Sequence, residues 1–561
     1  MKNKLFWAIA LLLIIIGMLL FLTARYADRI ADPYVRSLLE HNKPMGHRVD
    51  YKNIRVNLLQ RTVKIKQVRI YPDESLDKDE KIWMEIRVGL IRLTDFNIRE
   101  LLMHKTLRIG DLILLQPEVD VHLPLKVTPE TVDEVDEDTA TISKAPLLKN
   151  ITLSRMLLTE GNFRLVRNEV VLARSNDINV LIKDVTLARN TNADPIGYTY
   201  GQVKVTLSDM VLHSETGLYN MSLKKFVFDK ADSSLVLSGF EMKPKFDKKE
   251  FAAKLSFQDD RFDIEVKSIS VFRIGIRQLF EGMPLHISKL LVDGASADIF
   301  RDKNVPFNLN KFPLFHNEMF LKAPMPMVID TLSVVNSAIT CGELVAERTE
   351  PGMIRLEAFD LQSYDLNNRP QEDDSVESVM KLEVRAKVMG EGLLSVTLTL
   401  PLEGDTRALV CSGSVGAMQL SPLNAMLEPS INMKFNAGTL TRMTFSFSGN
   451  DNISDGWMEF LYNDIDVVIQ KKDEGKEWGF VSFLANKVTN SNNPPPGKTD
   501  FKSVKIGFER DKNKGMINYI WKTIQSGMVR TILPTNKFTI KHPQEKQEPG
   551  GGKKKKRRNK E

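Results

Sequence analysis

Apolar and charged residues alternate with period two along most of this chain. In HRVDYKNIRVNLLQRTVKIKQVRIYP, Val49, Tyr51, Ile54, Val56, Val63, Ile65, Val68 and Ile70 are apolar, with Lys52, Arg55, Lys64, Lys66 and Arg69 between them. Successive strand side chains point to opposite faces, so this pattern predicts half-buried strands with one apolar and one charged face. It recurs at residues 202–212, 219–242, 262–271, 381–401 and 433–447. The chain is expected to be mainly β, with few helices.

The pattern also repeats on a larger scale. Residues 49–72 match residues 221–244 at an offset of 172, and residues 86–121 match 264–299 without a gap at an offset of 178. Ile86/Ile264, Val88/Val266, Ile98/Ile276, Arg99/Arg277 and Asp120/Asp298 are identities. This is the signature of an internal duplication. Within it, Ile109, Leu112, Leu114, Pro117, Val119 and Val121 step by three, two, three, two and two, and Ile287, Leu290, Val292, Ala295, Ala297 and Ile299 copy the steps. The same spacing returns from Leu153 to Leu165 and from Ile329 to Cys341. It predicts four copies of a strand-turn-strand unit.

Connections punctuate the strands. FNIRELLMH (96–104) and IGIRQLFEG (274–282) read as short helical turns, as does the stretch 30–41. Residues 129–138 are acidic and predict a solvated loop, 304–326 are a Pro- and Phe-punctuated insertion, and 491–500 are a turn-rich break. MINYIWKTIQSGMVRTIL places Ile517, Ile520, Trp521, Ile524, Met528 and Ile532 on one helical stripe after Gly515 and before Pro534. That amphipathic helix either covers the end of the sheet or lies on a membrane surface.

Residues 5–24 (LFWAIALLLIIIGMLLFLTA) carry no charge and are long enough for a bilayer core. They predict an uncleaved transmembrane anchor. Lys2 and Lys4 precede it and Arg25, Arg29 and Arg36 follow, so flanking charge is ambiguous. Long domains translocate largely regardless of such charges, and we place the body on the exported side. The expected organisation is a leading segment and anchor at 1–24, a first β-repeat unit at 25–128 and an acidic loop at 129–146. A second repeat region at 147–303 follows, in which 221–299 duplicates 49–121. The insertion at 304–326, a C-terminal β region at 327–512, the amphipathic helix at 513–534 and a basic tail at 535–561 complete it.

Charge refines this picture. The chain has 78 Lys+Arg and 72 Asp+Glu, of which Lys553–Glu561 supplies seven and one, leaving 71 of each elsewhere. The body is neutral, which argues against nucleic acid as a partner. Lys553, Lys554, Lys555, Lys556, Arg557 and Arg558, with Trp521, are the candidates for contact with a membrane surface, solvated filler being the plainer reading of the tail. Cys341 and Cys411 allow one bridge in an oxidising compartment and are otherwise two small half-buried side chains. The eight histidines show no metal-ligand spacing. The sequence NPPPGKTD lacks the first glycine of a phosphate loop, having Asn492 there, and CSGSVG around Ser414 has Ser412 where a nucleophile elbow needs glycine. Asp464 and Asp466 stand at strand spacing. We expect no enzyme, cofactor or metal.

An antiparallel sheet with one apolar face needs a cover, and the predicted helices are too few. The sheet must fold over as a sandwich, close as a barrel, or curl into a trough whose lining meets an apolar ligand. Roughly thirty strands are expected in such an array. The candidate lining is Ile109, Leu112, Leu114, Val119, Val121, Ile287, Leu290, Val292, Ala297 and Ile299, ordinary core being the plainer reading of each.

One N-terminal apolar segment, then HRVDYKNIRVNLLQRTVKIKQVRIYP, LRIGDLILLQPEVDVHL and its copies, and INMKFNAGTLTRMTFSFSGNDNISDGWMEFLYNDIDVVI together resemble the AsmA-like proteins of diderm bacterial envelopes. The resemblance covers nearly residues 1–534 and rests on strand patterns. It implies an inner-membrane anchor through residues 5–24, a periplasmic elongated antiparallel β-groove related to bridge-like lipid-transfer proteins, and phospholipid as partner. It also implies support of the outer membrane, and it carries over no catalytic residue. This chain is shorter than the longest members and ends in a basic tail. The alternative is a scaffold that assembles outer-membrane or surface components through sheet edges.

Overall fold

Long alternating segments become long strands. The computed structural model describes residues 32–33, 47–74, 76, 83–96, 100, 103–104, 106–123, 150–188, 197–214, 216–275, 284–369, 378–469 and 491–532. The predicted anchor at 5–24, the acidic loop, the basic tail and most of 30–41, 96–104 and 274–282 lie outside them. The described protein is mainly β, 63% strand and 11% helix, so strands must supply most of their own packing. No helix among the described residues is long and apolar enough to cross a membrane.

Two compact units divide the chain. The first comprises the described residues up to Pro306, with Ala323–Glu347 and Arg355–Arg369; the second comprises Phe307–Lys322, Arg348–Ile354 and the described residues from 378 onward. In chain order the first strands are β1 (His47–Asp50), β2 (Asn53–Asn57), β3 (Thr62–Pro72), β4 (Trp83–Thr94), β5 (Thr106–Leu115), β6 (Glu118–His122), β7 (Asn150–Arg167) and β8 (Val170–Ala188). After them come β9 (Gly197–Thr199), β10 (Val203–His213), β11 (Tyr219–Asp229), β12 (Ser234–Pro244), β13 (Asp260–Ile274), β14 (Leu285–Asp302), β15 (Met327–Leu344) and β16 (Gly352–Asn367). A short helix α1 (Lys248–Ala253) follows β12, its first turn capped by the Asp247 side chain accepting from the Glu250 amide.

The duplication is a duplication of register. His47 faces Pro72, Val49 faces Ile70, Ile54 faces Ile65 and Val56 faces Val63; adding 172 gives Tyr219/Pro244, Met221/Met242, Phe226/Leu237 and Phe228/Leu235, which are the β11–β12 partners. Ile86/Val119 and Ile91/Leu114, shifted by 178, become Ile264/Ala297 and Ile269/Val292 across β13 and β14. A one-residue slip would turn every apolar side chain outward, so the shared pattern enforces one register in both copies.

Two expectations are corrected in this unit. The array is mostly but not wholly antiparallel: β5 and β6 run parallel to β7 at an offset of 44, and β14 runs parallel to β15 at an offset of 42. The spacing copies at Leu153 and Ile329 are therefore the parallel neighbours of those at Ile109 and Ile287. A parallel pair needs a long crossover. Asp302 and Met327 stand at opposite ends of paired 18-residue strands, about 60 Å of chain at the strand rise, and the insertion 303–326 covers that return.

The second correction concerns the later step of three, which is a single left-handed residue inside a continuing strand and not a turn: β14 keeps one register with β13 and with β15 across Gly294. Gln116 (φ 49°), Glu160 (φ 54°), Gly294 (φ 67°) and Asn336 (φ 54°) occupy the same place in the four copies, and all are left-handed. Strands β7, β14 and β15 run on through this residue, and only the first copy, with Pro117 after Gln116, breaks into two strands. The described residues hold 23 strands. Gln67 (φ 51°) and Gly239 (φ 65°) form another matched pair, as do Asp95 and Arg273 (both φ 52°).

The second unit has a closed core. Its strands β17 (Val379–Val388), β18 (Gly392–Pro401), β19 (Leu409–Val415), β20 (Met418–Gln419), β21 (Met433–Gly449), β22 (Ile453–Ile469) and β23 (Ser503–Glu509) are joined by helices α2 (His316–Leu321), α3 (Asn424–Ile431) and α4 (Met516–Ile532). The order β17–β18–β19–β21–β22–β23 is antiparallel throughout. Phe435, Phe445, Phe447, Met458, Phe460, Tyr462 and Ile506 are buried beneath this unit's cover.

Helix α4 packs on β22 and β23 by a stripe the sequence did not single out. Its buried residues are Met516, Tyr519, Thr523, Gly527, Thr531 and Ile532. A Cβ at Gly527 would come within 2.5 Å of Ile506 Cγ2 and Met458 Sδ, so glycine lets the helix sit directly on the sheet. Ser454 and Thr523 share a 2.6 Å hydroxyl hydrogen bond beneath it, and Ser526 Oγ accepts from the Gly507 amide. Of the predicted apolar stripe only Ile532 is buried; Ile517 and Trp521 are exposed.

Candidate functional site

All ten predicted lining residues stand on β5, β6 and β14, and all but Ile109 are flanked on both sides by apolar partners. Leu114 lies between Ile91 and Leu158, Leu112 between Leu93 and Met156, Val119 between Ile86 and Phe163, and Val121 between Met84 and Leu165. In the second copy Leu290 lies between Val271 and Leu332, Val292 between Ile269 and Val334, Ala297 between Ile264 and Ile339, and Ile299 between Phe262 and Cys341. Ile109 and Ile287 face Leu153 and Ile329.

These pairings join into a row that crosses twelve strands without a polar residue. It runs Ile54, Ile65, Ile91, Leu114, Leu158, Val180, Val205, Phe228, Leu235, Val271, Leu290, Leu332. Directly paired residues share a face, so the row is one apolar band, about 50 Å long at the inter-strand spacing. Met210, Leu223, Phe240, Val266 and Ala295 form a shorter parallel band across β10–β14. The register that creates the row is a tertiary property. Each member sits in its own alternating segment, and no local pattern says which residue stands beside which.

Burial along the band shows where it is covered. Ile54, Leu114, Leu158 and Val271 are buried, while the other eight keep part of their surface exposed. Of the ten predicted lining residues, Ile109, Leu114, Val119 and Ile287 are buried and the remaining six are half-buried. The clearest case is β12, which is hydrogen-bonded to a neighbour on each side and yet has no buried residue among its eleven. Leu235, Leu237, Phe240 and Met242 each have an apolar partner on both sides and still keep part of their surface exposed. A strand in the interior of a closed sandwich would bury one face.

The opposite face is charged and cross-linked. Arg155 reaches Asp111 through two 2.9 Å hydrogen bonds, and Arg164 and Arg87 converge on Asp120. Burial raises the Asp120 carboxyl, but the two guanidiniums outweigh it and hold it below the usual carboxylate range. The Arg155 hydrogen bonds likewise lower Asp111. Unlike the apolar face, this one is self-sufficient in solvent.

The chemical near-misses become ordinary structure. Ser414 is a ladder residue between Ser395 and Thr444, and Asp464 is a left-handed bulge (φ 52°). Beside the loop holding Gly497, Lys498 and Thr499, buried Asn493 donates to the Phe460 and Lys502 carbonyls and accepts from the Lys502 amide. Among the described residues no group of three His, Cys, Asp or Glu is placed to hold a metal ion. Cys341 and Cys411 are both free thiols. Trp521 lies on the open side of α4, and Lys553–Lys556, Arg557 and Arg558 are outside the described residues.

Sequence reasoning missed an ion cluster in the second unit. Arg407, Arg510 and Lys512 converge on Asp451, and Glu318 at the start of α2 takes the other side of Arg407. The Arg510 guanidinium is buried 4.5 Å over the ring of fully buried Phe315, and burial lowers its pKa. Asn317 Nδ2 donates to the carbonyls of Pro401 (2.6 Å) and Thr406 (2.8 Å). The cluster ties the insertion helix into this unit; its members are scattered from 315 to 512, and no spacing announces them. No family model and no curated protein matches the chain.

Proposed function

We propose that this protein is a membrane-anchored, non-enzymatic lipid-binding protein of the AsmA-like kind, whose first unit shields phospholipid acyl chains during transfer between envelope membranes. The observation that carries the reading is the twelve-strand apolar band, eight of whose members keep part of their surface exposed. Such a band gains about 0.8 kcal/mol for each methylene it removes from water, and it selects by chain and not by headgroup because it presents no polar group. The apolar segment 5–24 would hold the protein in the inner membrane with the body in the periplasm, and the outer membrane is the destination the strand-pattern resemblance suggests.

Site-specific photocrosslinking in intact cells tests it. A benzophenone side chain at Val205 or Leu235, on the band, should yield phospholipid adducts, whereas one at Lys224 or Lys267, on the charged face, should not. The double substitution Leu235→Gln and Leu290→Gln should reduce adducts at Val205 severalfold with the strand content unchanged by circular dichroism. Adducts of equal yield on both faces, or a single protein adduct on the band with no lipid, would sink the reading and favour the scaffold.

A further inference from the structure

Helix α4 has a second face. Beside the stripe that packs on the sheet, Ile517 is 64% and Trp521 39% exposed, and residues four apart on a helix share a side. Ile524 and Met528 continue that side with partial exposure. The helix contains Lys522 and Arg530 and no acidic residue.

Just before the helix, Asn513 Nδ2 donates to the carbonyls of Leu309 (2.7 Å) and Lys311 (3.2 Å), and the Lys514 ammonium lies 5.9 Å from the centre of the Phe307 ring. These bonds bring the insertion segment to the N-terminal end of α4. There Leu309 is 71% and Phe312 58% exposed. Four large apolar side chains thus extend the open face of a helix whose other face is locked to the sheet.

We propose that this ridge docks the second unit on a bilayer surface rich in anionic headgroups. Leu309, Phe312, Ile517 and Trp521 enter the boundary between headgroups and acyl chains, and Lys522, next to Trp521, meets phosphate, whereas Arg530 is held against the sheet by its hydrogen bond to the Lys505 carbonyl. A one-sided apolar stripe with an interfacial Trp and only basic charge is the composition of helices that lie in a membrane interface. The charge continues past Ile532, where residues 533–561 carry ten Lys/Arg against three Glu. A flat acidic surface suits this face better than a groove, because the helix cannot be wrapped while its inner stripe is packed. The inference rests on the lipid-transfer reading only for its purpose, since docking is measurable without lipid movement.

Full-length chain in phosphatidylcholine nanodiscs tests it, mixed with vesicles of phosphatidylcholine alone or with phosphatidylglycerol. The wild type should be recruited to the phosphatidylglycerol vesicles. The variant Leu309→Ser, Phe312→Ser, Ile517→Ser and Trp521→Ser should lose recruitment by about tenfold or more, with an unchanged circular dichroism spectrum because all four side chains are exposed. A second measurement, quenching of the fluorescence that Trp521→Phe removes, should respond to brominated lipid only in the vesicles that recruit. Equal recruitment of wild type and variant, or equal recruitment to neutral vesicles, overturns the proposal. Wild-type self-association that the variant abolishes, without vesicle binding, overturns it in favour of a second copy. Loss of lipid adducts at Val205 with recruitment intact would reject the transfer reading alone.

Discussion

At the scale of single residues, the most informative feature is the interruption of period two by a step of three. A left-handed residue fills that step in each of the four copies, yet only one of the four is glycine. A non-glycine residue in this conformation costs about 1–2 kcal/mol, offset in part by the greater freedom glycine has in the unfolded chain. Exchanging Gln116 for the residue its second copy carries, Gln116→Gly, should therefore stabilise the first unit by about 0.5 kcal/mol, read as a higher denaturant midpoint. The reverse exchange, Gly294→Gln, should lower it. An unchanged midpoint in both would mean that this conformation is not held by local backbone preference. The spacing was legible in the sequence; that it meant one left-handed residue within a strand was not, since a tight turn shifts the alternation alike.

Elements bring packing distances into play, and α4 shows their effect. Hydrophobicity selects Ile517, Ile520, Trp521, Ile524 and Met528 as the inner stripe, whereas the sheet accepts Thr523, Gly527 and Thr531 because small side chains permit a closer approach. Gly527→Val should cost about 1–3 kcal/mol through overpacking against Ile506 and Met458. Hydrogen exchange should then show α4 opening faster while β17–β19 keep their protection. An α4 as protected as in the wild type would contradict the close approach. Strand pairing follows similar logic. Alternation identifies β5, β7, β14 and β15 but is the same for parallel and antiparallel partners, so the direction was set by crossovers that no strand pattern contains.

On the scale of the whole molecule, the two units solve the problem of an apolar sheet face differently. The second covers β22 and β23 with α4 and buries ionisable groups in its core. Burial pushes the Cys411 thiol up to about 12 from 9.0 and the Tyr519 phenol up to about 12 from 10.0, and it raises Tyr462 as well. Below pH 9 folded and unfolded chains hold these protons equally. As pH rises from about 9 toward about 12, the unfolded chain releases them while the folded unit does not, so their contribution to stability is lost across that window. Alkaline titration should show the absorbance of Tyr462 and Tyr519 phenolates appearing only together with loss of structure. At pH 8 a thiol reagent should modify Cys411 on the order of 10³-fold more slowly than an exposed cysteine. Early phenolate absorbance from a folded chain, checked with Tyr462→Phe and Tyr519→Phe, would show that this core admits water. The first unit has no comparable seal on β12, whose eleven residues all keep part of their surface exposed.

By itself, the sequence determined the strand content, the apolar and charged faces, the duplication at offsets of 172 and 178, and the neutrality of the body, because each of these is a property of order along the chain. Tertiary structure alone decided the two parallel steps, the joining of twelve separate segments into one apolar band, the choice of the small-residue stripe on α4 and the ion cluster around Asp451. Those depend on which segments become neighbours and how closely they approach. Such relations arise from loop closure and packing between residues far apart in sequence, where hydrophobic periodicity carries no information about the partner.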